Sequence, residues 1–429
     1  MRFAHMADIH IGSWREPKLT EANLQAFIRA IDICMEKKVD FILISGDLFN
    51  TSLPAIDKLK VVVKVLKQIK ESDIEVYVVP GSHDFSPSGK TMLDVLENAG
   101  LIKNVVKGNV KDGRLFLDFT IDTKTGAKIT GMLGKKGMLE KTYYESLARE
   151  HLEKCNQKEN STKEKTSFKI FMFHTALTEL KPVEMAEMDS APISLLPKGF
   201  DYYAGGHVHI VEQKKIEGYG NVIYPGPLFP NNIKEIEELK HGGFYIYDDG
   251  NISYHQIPLY NIVSISIDCN HRLPLEVRTL LLKKIDENSD GIDLSKTIIT
   301  IRLYGVLSEG NVNDIAINEI FEQLYDKGAY FIMKNLNKLT TKEFEEIKLS
   351  LEKSHDVEDS LINEHIGKIG NDINNFVSAI GNDNTGSAKD EKDFVKMMMN
   401  ALDIEKQEGE KIFDFEKRIK ENFESFFKI

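Results

Sequence analysis

Along the first 260 residues the apolar and polar positions switch repeatedly between a strand pattern and a helical one. RFAHMA near the start, FILIS at 41–45 and VYVVP at 76–80 read as strands. Between them, Glu21 to Lys37 carries Leu24, Phe27, Ile28, Ile31 and Met35 at helical spacing, and Ala55 to Lys70 and Thr91 to Asn98 read as two further helices. FKIFMF at 168–173, DYYAGG at 201–206 and NVIYPG at 221–226 resume the strand pattern, and GGFYIYDD and NISYHQIPL close it. Alternation of this kind predicts an α/β layered domain over residues 1–260.

A second small α/β unit is expected over 261–340. It reads as VSISID, a Leu-rich helix around Leu275 to Lys284, TIITIRLYG at 297–305, a helix from Val312 to Leu324, and YFIMKNL at 330–336. Residues 341–392 read as connecting helices and linker, because GNDNTGSAKDEK at 381–392 has no apolar period. Two amphipathic helices follow over 393–429. Phe394, Met397, Met398, Ala401 and Leu402 share one face of the first, and Ile412, Phe415, Ile419, Phe423 and Phe426 share one face of the second. The polar stretch 151–167 reads as a surface excursion.

Composition narrows the class. A chain of 429 residues, 41% apolar and 28% charged, is ordinary for two or three folded modules. Cys34, Cys155 and Cys269 make no Cys-x-x-Cys pair, so neither a disulfide framework nor a thiolate zinc site is suggested, and a reducing cytoplasm fits best. The start, MRFAHMADIH, lacks a basic segment followed by an apolar one, and no apolar run approaches the roughly 18 residues needed to span a bilayer. A soluble protein without a membrane partner is expected. The net charge of -12 opposes a broad nucleic-acid-binding face, although bound divalent cations or a partner subunit would supply local positive charge.

Five polar clusters each come directly after an apolar strand: Asp8-Ile9-His10, Gly46-Asp47, Gly81-Ser82-His83-Asp84, His174, and Gly206-His207-Val208-His209. In open α/β sheets the carboxyl ends of strands converge on one crevice, so these side chains are expected to meet there. Convergent carboxylates and imidazoles point to metal ions. Two divalent cations roughly 3.5–4 Å apart need a bridging carboxylate, which Asp47 is placed to be. The mixture of imidazole and carboxylate suits manganese, iron or zinc better than magnesium alone.

In order, DIH, GDLF, GSHD, FH and GHVH resemble the motifs D-x-H, G-D, G-N-H-D/E, H and G-H-x-H of the calcineurin-like metallophosphoesterases. SGDLFN, VYVVPGSHD and YYAGGHVH give a closer resemblance to the DNA double-strand-break repair nuclease family named meiotic recombination eleven, with its bacterial SbcD relatives. The resemblance is most specific in the first half of the chain. It implies a layered β-sandwich flanked by helices, a small α/β capping domain and a C-terminal helical partner-binding module. It also implies one metal held by Asp8, His10, Asp47 and His209, and another held by Asp47, Ser82, His174 and His207. His83 would be the uncoordinated catalytic histidine that meets the phosphate and helps the leaving oxygen depart. Two manganese ions, exonuclease and endonuclease cleavage of DNA, and a cytoplasmic, nucleoid-associated place follow from the same likeness.

One departure stands out. The family's usual residue at position 82 is asparagine, and a serine hydroxyl has shorter reach and a single oxygen, so a looser second metal is expected. For Asp84 two roles stay open, orienting His83 or capping backbone amides. Protein phosphatases of the superfamily continue the second motif as Gly-Asp-x-x-Asp-Arg-Gly, whereas Asn50 stands here at that second aspartate, a second candidate catalytic residue near the phosphate. Alternatives are a hydrolase of small phosphodiesters and a scaffold whose centre has decayed. Arg15, Lys90, Lys135 and Lys136 lie near the motifs, but scattered basic residues are ordinarily solvated surface.

The helix at 55–70 is apolar over an arc of roughly 220°, against about 100° for a surface helix, which asks for a second packing partner. The resemblance implies a homodimer through this helix and the one at 91–98. Met397, Met398 and Met399, with Phe413, Phe415, Phe423, Phe426 and Phe427, suit a helix-in-groove docking module. The implied partners are DNA, as duplex ends and hairpins, and a coiled-coil ATPase of the Rad-fifty or SbcC kind.

Overall fold

Strand β1 (Arg2–Met6) pairs in parallel with β2 (Phe41–Ser45), and β2 in parallel with β3 (Glu75–Val79). The connections are helices α1 (Pro17–Glu36) and α2 (Ile56–Glu71), and α3 (Met92–Asn98) leads on to β4 (Lys103–Asn104). The computed structural model describes residues 1–86, 91–135, 141–153, 167–182, 185, 188–342, 402–407, 410 and 412–427. The expected helix around Phe394 to Met399, the linker at 381–392 and most of the polar stretch at 151–167 lie outside them, as do Lys90 and Lys136.

A hairpin, β5 (Gly108–Lys111) and β6 (Arg114–Leu117), precedes β7 (Thr120–Ile121), β8 (Lys128–Gly131) and helix α4 (Lys141–Ser146). Then come β9 (Lys169–His174), β10 (Tyr202–Gly206), β11 (Val211–Ile216), β12 (Gly220–Pro225), helix α5 (Ile233–Leu239), β13 (Gly243–Asp248) and β14 (Asn251–Gln256). They build two six-stranded sheets, in the orders β14-β13-β1-β2-β3-β4 and β11-β12-β10-β9-β8-β7.

The strands read as continuous apolar runs because both of their faces are covered. Phe3, Phe41, Leu43, Tyr77 and Val79 meet Ile129, Ile170, Met172, Tyr202, Ala204 and Ile223 of the second sheet in one buried layer. The alternate residues Ala4, Met6, Ile42, Ile44, Val76 and Val78 face outward into a core with Ala22, Phe27 and Ile31 of α1 and Val62, Leu66 and Ile69 of α2. On the far side, Phe171, Phe173, Tyr203 and Tyr224 build a third core with Leu147, Leu152 and Leu196.

The single crevice of an open sheet is therefore replaced by the edge of a sandwich. Strands β9 and β10 are parallel to each other, and their carboxyl ends meet those of β1, β2 and β3 across the sandwich.

After residue 260 the chain forms a three-stranded sheet of β15 (Asn261–Asp268), β16 (Thr297–Leu307) and β17 (Phe331–Thr341), with helices α6 (Pro274–Ser289) and α7 (Ile317–Asp326). The helix expected from Val312 starts late. Val312–Ile315 is a 3-10 turn and Ala316 takes φ 53°, which breaks helical geometry before α7 begins. Packing groups Met1–Cys269, Leu275–Tyr304 and Ile315–Lys338 into one unit, and Ile298 of β16 is part of the core that holds α1 and α2.

The other unit comprises Asn270–Pro274, Gly305–Asp314 and Leu339–Ile429. Within it, helix α8 (Ile412–Phe427) runs where the second amphipathic pattern placed it, and Arg418 of α8 pairs with Glu410 at 2.9 Å. Among the described residues, no helix is long and apolar enough to cross a membrane.

Candidate metal centre

Each sequence motif occupies the loop or last residue at the carboxyl end of a strand. Asp8 and His10 follow β1, Asp47 follows β2, Ser82 and His83 follow β3, His174 ends β9, and His207 and His209 follow β10. These loops bend sharply. Asp8, His10, Asp47, His207 and His209 all sit at positive φ, of 51°, 47°, 53°, 100° and 57°. Non-glycine residues are uncommon there, and such backbone strain concentrates at functional sites where surrounding contacts hold it.

The contacts that hold it are specific. The Asp8 amide donates to the Gly46 carbonyl (3.2 Å) and the His10 amide to the Asp47 carbonyl (2.9 Å), which ties the first two loops together. Buried Asn23 of α1 donates its side-chain amide to the Ile9 carbonyl at 2.8 Å and braces the first loop from behind. Two glycines are required by close approach. A Cβ on Gly46 would lie 2.0 Å from His174 Nδ1, and one on Gly81 would lie 2.2 Å from the Asp47 amide nitrogen.

Ligand-type atoms converge inside this frame. Three groups have all their candidate atoms within 4.8 Å of one another: Asp8, His10 and His209; Asp8, Asp47 and His174; and His10, Asp47 and His83. His10 Nε2 stands 3.0 Å from His209 Nε2 and 3.5 Å from Asp47 Oδ2, and His174 Nε2 stands 3.2 Å from the same Asp47 oxygen. Asp47 thus touches both sides of the cluster. Ser82 is buried and donates its hydroxyl toward Asp47 Oδ2 at 3.4 Å.

Second partners fix which ring nitrogen faces inward. His174 Nδ1 bonds the Ser45 carbonyl at 2.8 Å, and His209 Nδ1 bonds Glu235 Oε1 of α5 at 3.0 Å, so Nε2 of each ring is turned to the carboxylates. Glu235 was not singled out from the sequence. It lies 26 residues beyond His209 in a helix with other acidic residues, and no spacing rule selects it.

The electrostatics of the site suit cations. Among the described residues no lysine or arginine pairs with Asp8 or Asp47; their ion-pair partners are histidines. Burial pulls the His174 imidazole down, but Asp47 and Asp8 beside it outweigh burial and carry it up to about 10. His209 behaves likewise: burial lowers it, while Glu235 and Asp8 raise it to about 9. Protons drawn onto these two rings supply the positive charge that the carboxylates demand. Two acidic groups and imidazole nitrogens turned inward, with no competing ammonium or guanidinium among the described residues, make a donor set that fits divalent metal ions.

Several residues take roles the sequence left open or did not suggest. The Asp84 carboxylate accepts the amides of Gly81 (3.1 Å), Leu48 (3.2 Å) and Phe49 (3.1 Å), so it ties the second and third loops together through the backbone. Burial, then Asp47, push its carboxyl up to about 7, against the pull of those amides. His83 is set by two bonds: its amide donates to Asp47 Oδ1 at 2.7 Å, and its Nδ1 meets the Asn50 carbonyl at 2.8 Å. Asn50 therefore reaches His83 through its main chain. His207 packs its ring against His174 at a centroid distance of 5.1 Å and donates its amide to Asp8, but it belongs to none of the three groups.

Residues 1–211 match the calcineurin-like phosphoesterase family, so the chain carries a calcineurin-like metallophosphoesterase domain. It is also homologous to archaeal DNA double-strand break repair proteins Mre11. It is 28% identical to that of Methanococcus maripaludis over 68% of this chain and 71% of the relative. The likeness to that of Sulfurisphaera tokodaii, at 27% identity, extends over 86% of this chain and 88% of the relative. With that of Archaeoglobus fulgidus it is 26% over 56% of this chain, and there the chain spans about half, 52%, of the relative's length.

Proposed function

We propose that this chain is a two-metal phosphodiesterase that cuts DNA at broken ends, with manganese as its working ion. The observation that carries the reading is the convergence of Asp8, His10, Asp47, His174 and His209 with His83 beside them. Homology to Mre11 proteins, rather than the site alone, favours DNA over a small phosphodiester. In this reading Asp8, His10, Asp47 and His209 hold one cation, and Asp47, Ser82, His174 and His207 hold the other. Cations bound there would lower the pKa of water and neutralise charge on the phosphoryl oxygens.

The protein's own groups do the rest. Asp47 joins the two sides and, through the His83 amide, sets the position of that histidine. His83 Nδ1–H donates to the Asn50 carbonyl, and in the imidazolium form the ring carries a second proton at Nε2, the one it gives to the leaving oxygen. Asp84 keeps the two loops that carry Asp47 and His83 in register.

The domain plan is part of the proposal. Residues 261–340 would act as a capping module, 341–392 as a connection and 393–429 as the docking module for a coiled-coil ATPase. For α8, an amphipathic helix with Phe413 65% exposed supports that reading. A homodimer through α2 and α3 is supported by Ile56 and Val95 of these helices, 83% and 56% exposed, and by Leu53 just before α2, 74% exposed. A nucleoid-associated location would follow from the DNA substrate. The test is digestion of end-labelled duplex and hairpin DNA with manganese, magnesium or chelator, with and without the partner ATPase. Manganese-dependent cleavage lost on chelation is expected; cleavage of small phosphodiesters with DNA left intact would overturn the proposal.

A further inference from the structure

Glu235 and Glu237 sit two residues apart on α5, roughly 200° around the helix, so they leave opposite sides of it. One side reaches the metal centre. Glu235 Oε1 takes His209 Nδ1 (3.0 Å) and the Asn232 side-chain amide (2.6 Å), and its Oε2 takes the Asn231 amide (2.7 Å). With both oxygens committed, this carboxylate cannot swing to follow the imidazole; it moves only with the helix.

The other side reaches the three-stranded sheet. Arg302 of β16 places Nε (3.1 Å) and Nη2 (2.8 Å) on the same Glu237 oxygen, with both side chains about four-fifths buried, and Lys240 bonds Ser264 of β15 at 2.6 Å. A helix of two turns has little stability of its own, so its seat is set by its anchors. These are the Asn232 cap on the Glu235 amide, Ile236 in the core, and the bonds to Arg302 and Ser264 of the sheet.

We infer that α5 is a positioning element that links β15 and β16 to His209, so that the seating of the three-stranded sheet sets the affinity of one cation and not the other. Glu235 and Arg302 are positioning residues in this scheme. The inference rests on the proposed role of His209 as a ligand. It makes the sheet a regulator of the site: whatever shifts it relative to α5 loosens the His209 side of the centre.

The experiment is calorimetric titration of manganese into the metal-free full chain, with thermal unfolding measured alongside. The variants are Glu235→Gln, Arg302→Met, Arg302→Lys, the double Glu235→Gln/Arg302→Met, and His209→Ala as reference. Glu235→Gln is expected to weaken one of the two sites about tenfold, and Arg302→Met to weaken the same site about threefold while sparing the other. Arg302→Lys should recover part of that loss. The double variant should bind no more weakly than Glu235→Gln alone, because the arginine acts only through the glutamate. Wild-type affinity in Arg302→Met, equal weakening of both sites, or losses that multiply in the double variant would each overturn the inference. If His209→Ala weakens one site while Arg302→Met is silent, the inference alone falls. If His209→Ala binds both ions normally, the ligand assignment falls with it.

Discussion

Two histidines five residues apart, His5 in strand β1 and His10 in the loop after it, are both buried, yet they do opposite things. His5 lies between the sheets with each ring nitrogen used once, on the Tyr202 hydroxyl at 3.1 Å and the Gly205 carbonyl at 3.2 Å, and burial holds it neutral by lowering its pKa to about 3. His10 has no such settlement. Its Nε2 faces another imidazole nitrogen and a carboxylate, and its buried Nδ1 has no hydrogen-bond partner among the described residues. Burial alone does not mark a candidate ligand; an imidazole nitrogen turned toward another imidazole and a carboxylate does.

Loss of the residue that both sides of the cluster share should do most damage. Asp47→Ala should remove both metals and lower cleavage to background, because one carboxylate serves both; elemental analysis that still finds a tightly bound ion would sink the bridge. His83→Ser should lower cleavage by about 10²–10⁴-fold while metal content stays nearly unchanged, since the histidine acts on the substrate. Its proximity to His10, with ring centroids 4.7 Å apart, makes this a sharp test. Loss of half or more of the bound manganese would recast His83 as a ligand.

His5 should give a pH effect that needs no metal. A folded-state pKa near 3 against about 6.5 in the unfolded chain means that unfolding takes up a proton anywhere between those values. The stability tied to neutral His5 is complete above the higher value and lost as pH falls toward the lower. In chelated protein, wild type should lose about 2 kcal/mol more than His5→Gln between pH 7.5 and 5.0, read from urea midpoints. Equal losses would show that His5 is not held neutral. The smallest effect is Ser82→Asn, which should raise activity a few-fold at limiting manganese and not at saturation, by restoring the reach of an amide oxygen. Equal activity at every manganese concentration would mean that residue 82 is not a ligand.

The hydrophobic pattern makes part of this site legible in the sequence. Asp8, His10, Asp47, His83, His174 and His209 could be found because each follows an apolar strand, and strand ends are written in the hydrophobic pattern. The core could be read for the same reason: Phe41, Leu43 and Tyr77 turn one way and Ile42, Ile44 and Val76 the other. What could not be read are choices made in three dimensions. Glu235 reaches His209 from a distant helix, Asn50 acts through a carbonyl that any residue possesses, and Asp84 chose amides over His83. Positive φ at Asp8, Asp47 and three histidines was invisible as well, since sequence signals that conformation mainly through glycine.

Asp8, His10, Asp47, His174 and His209 are proposed to form one site for two cations joined by Asp47. Electron paramagnetic resonance of the manganese-loaded chain, with bound metal counted in the same sample, tests it most directly. Two ions per chain with a spin-coupled spectrum, collapsing to free manganese in Asp47→Ala, is the predicted result; a single uncoupled ion per chain would contradict it.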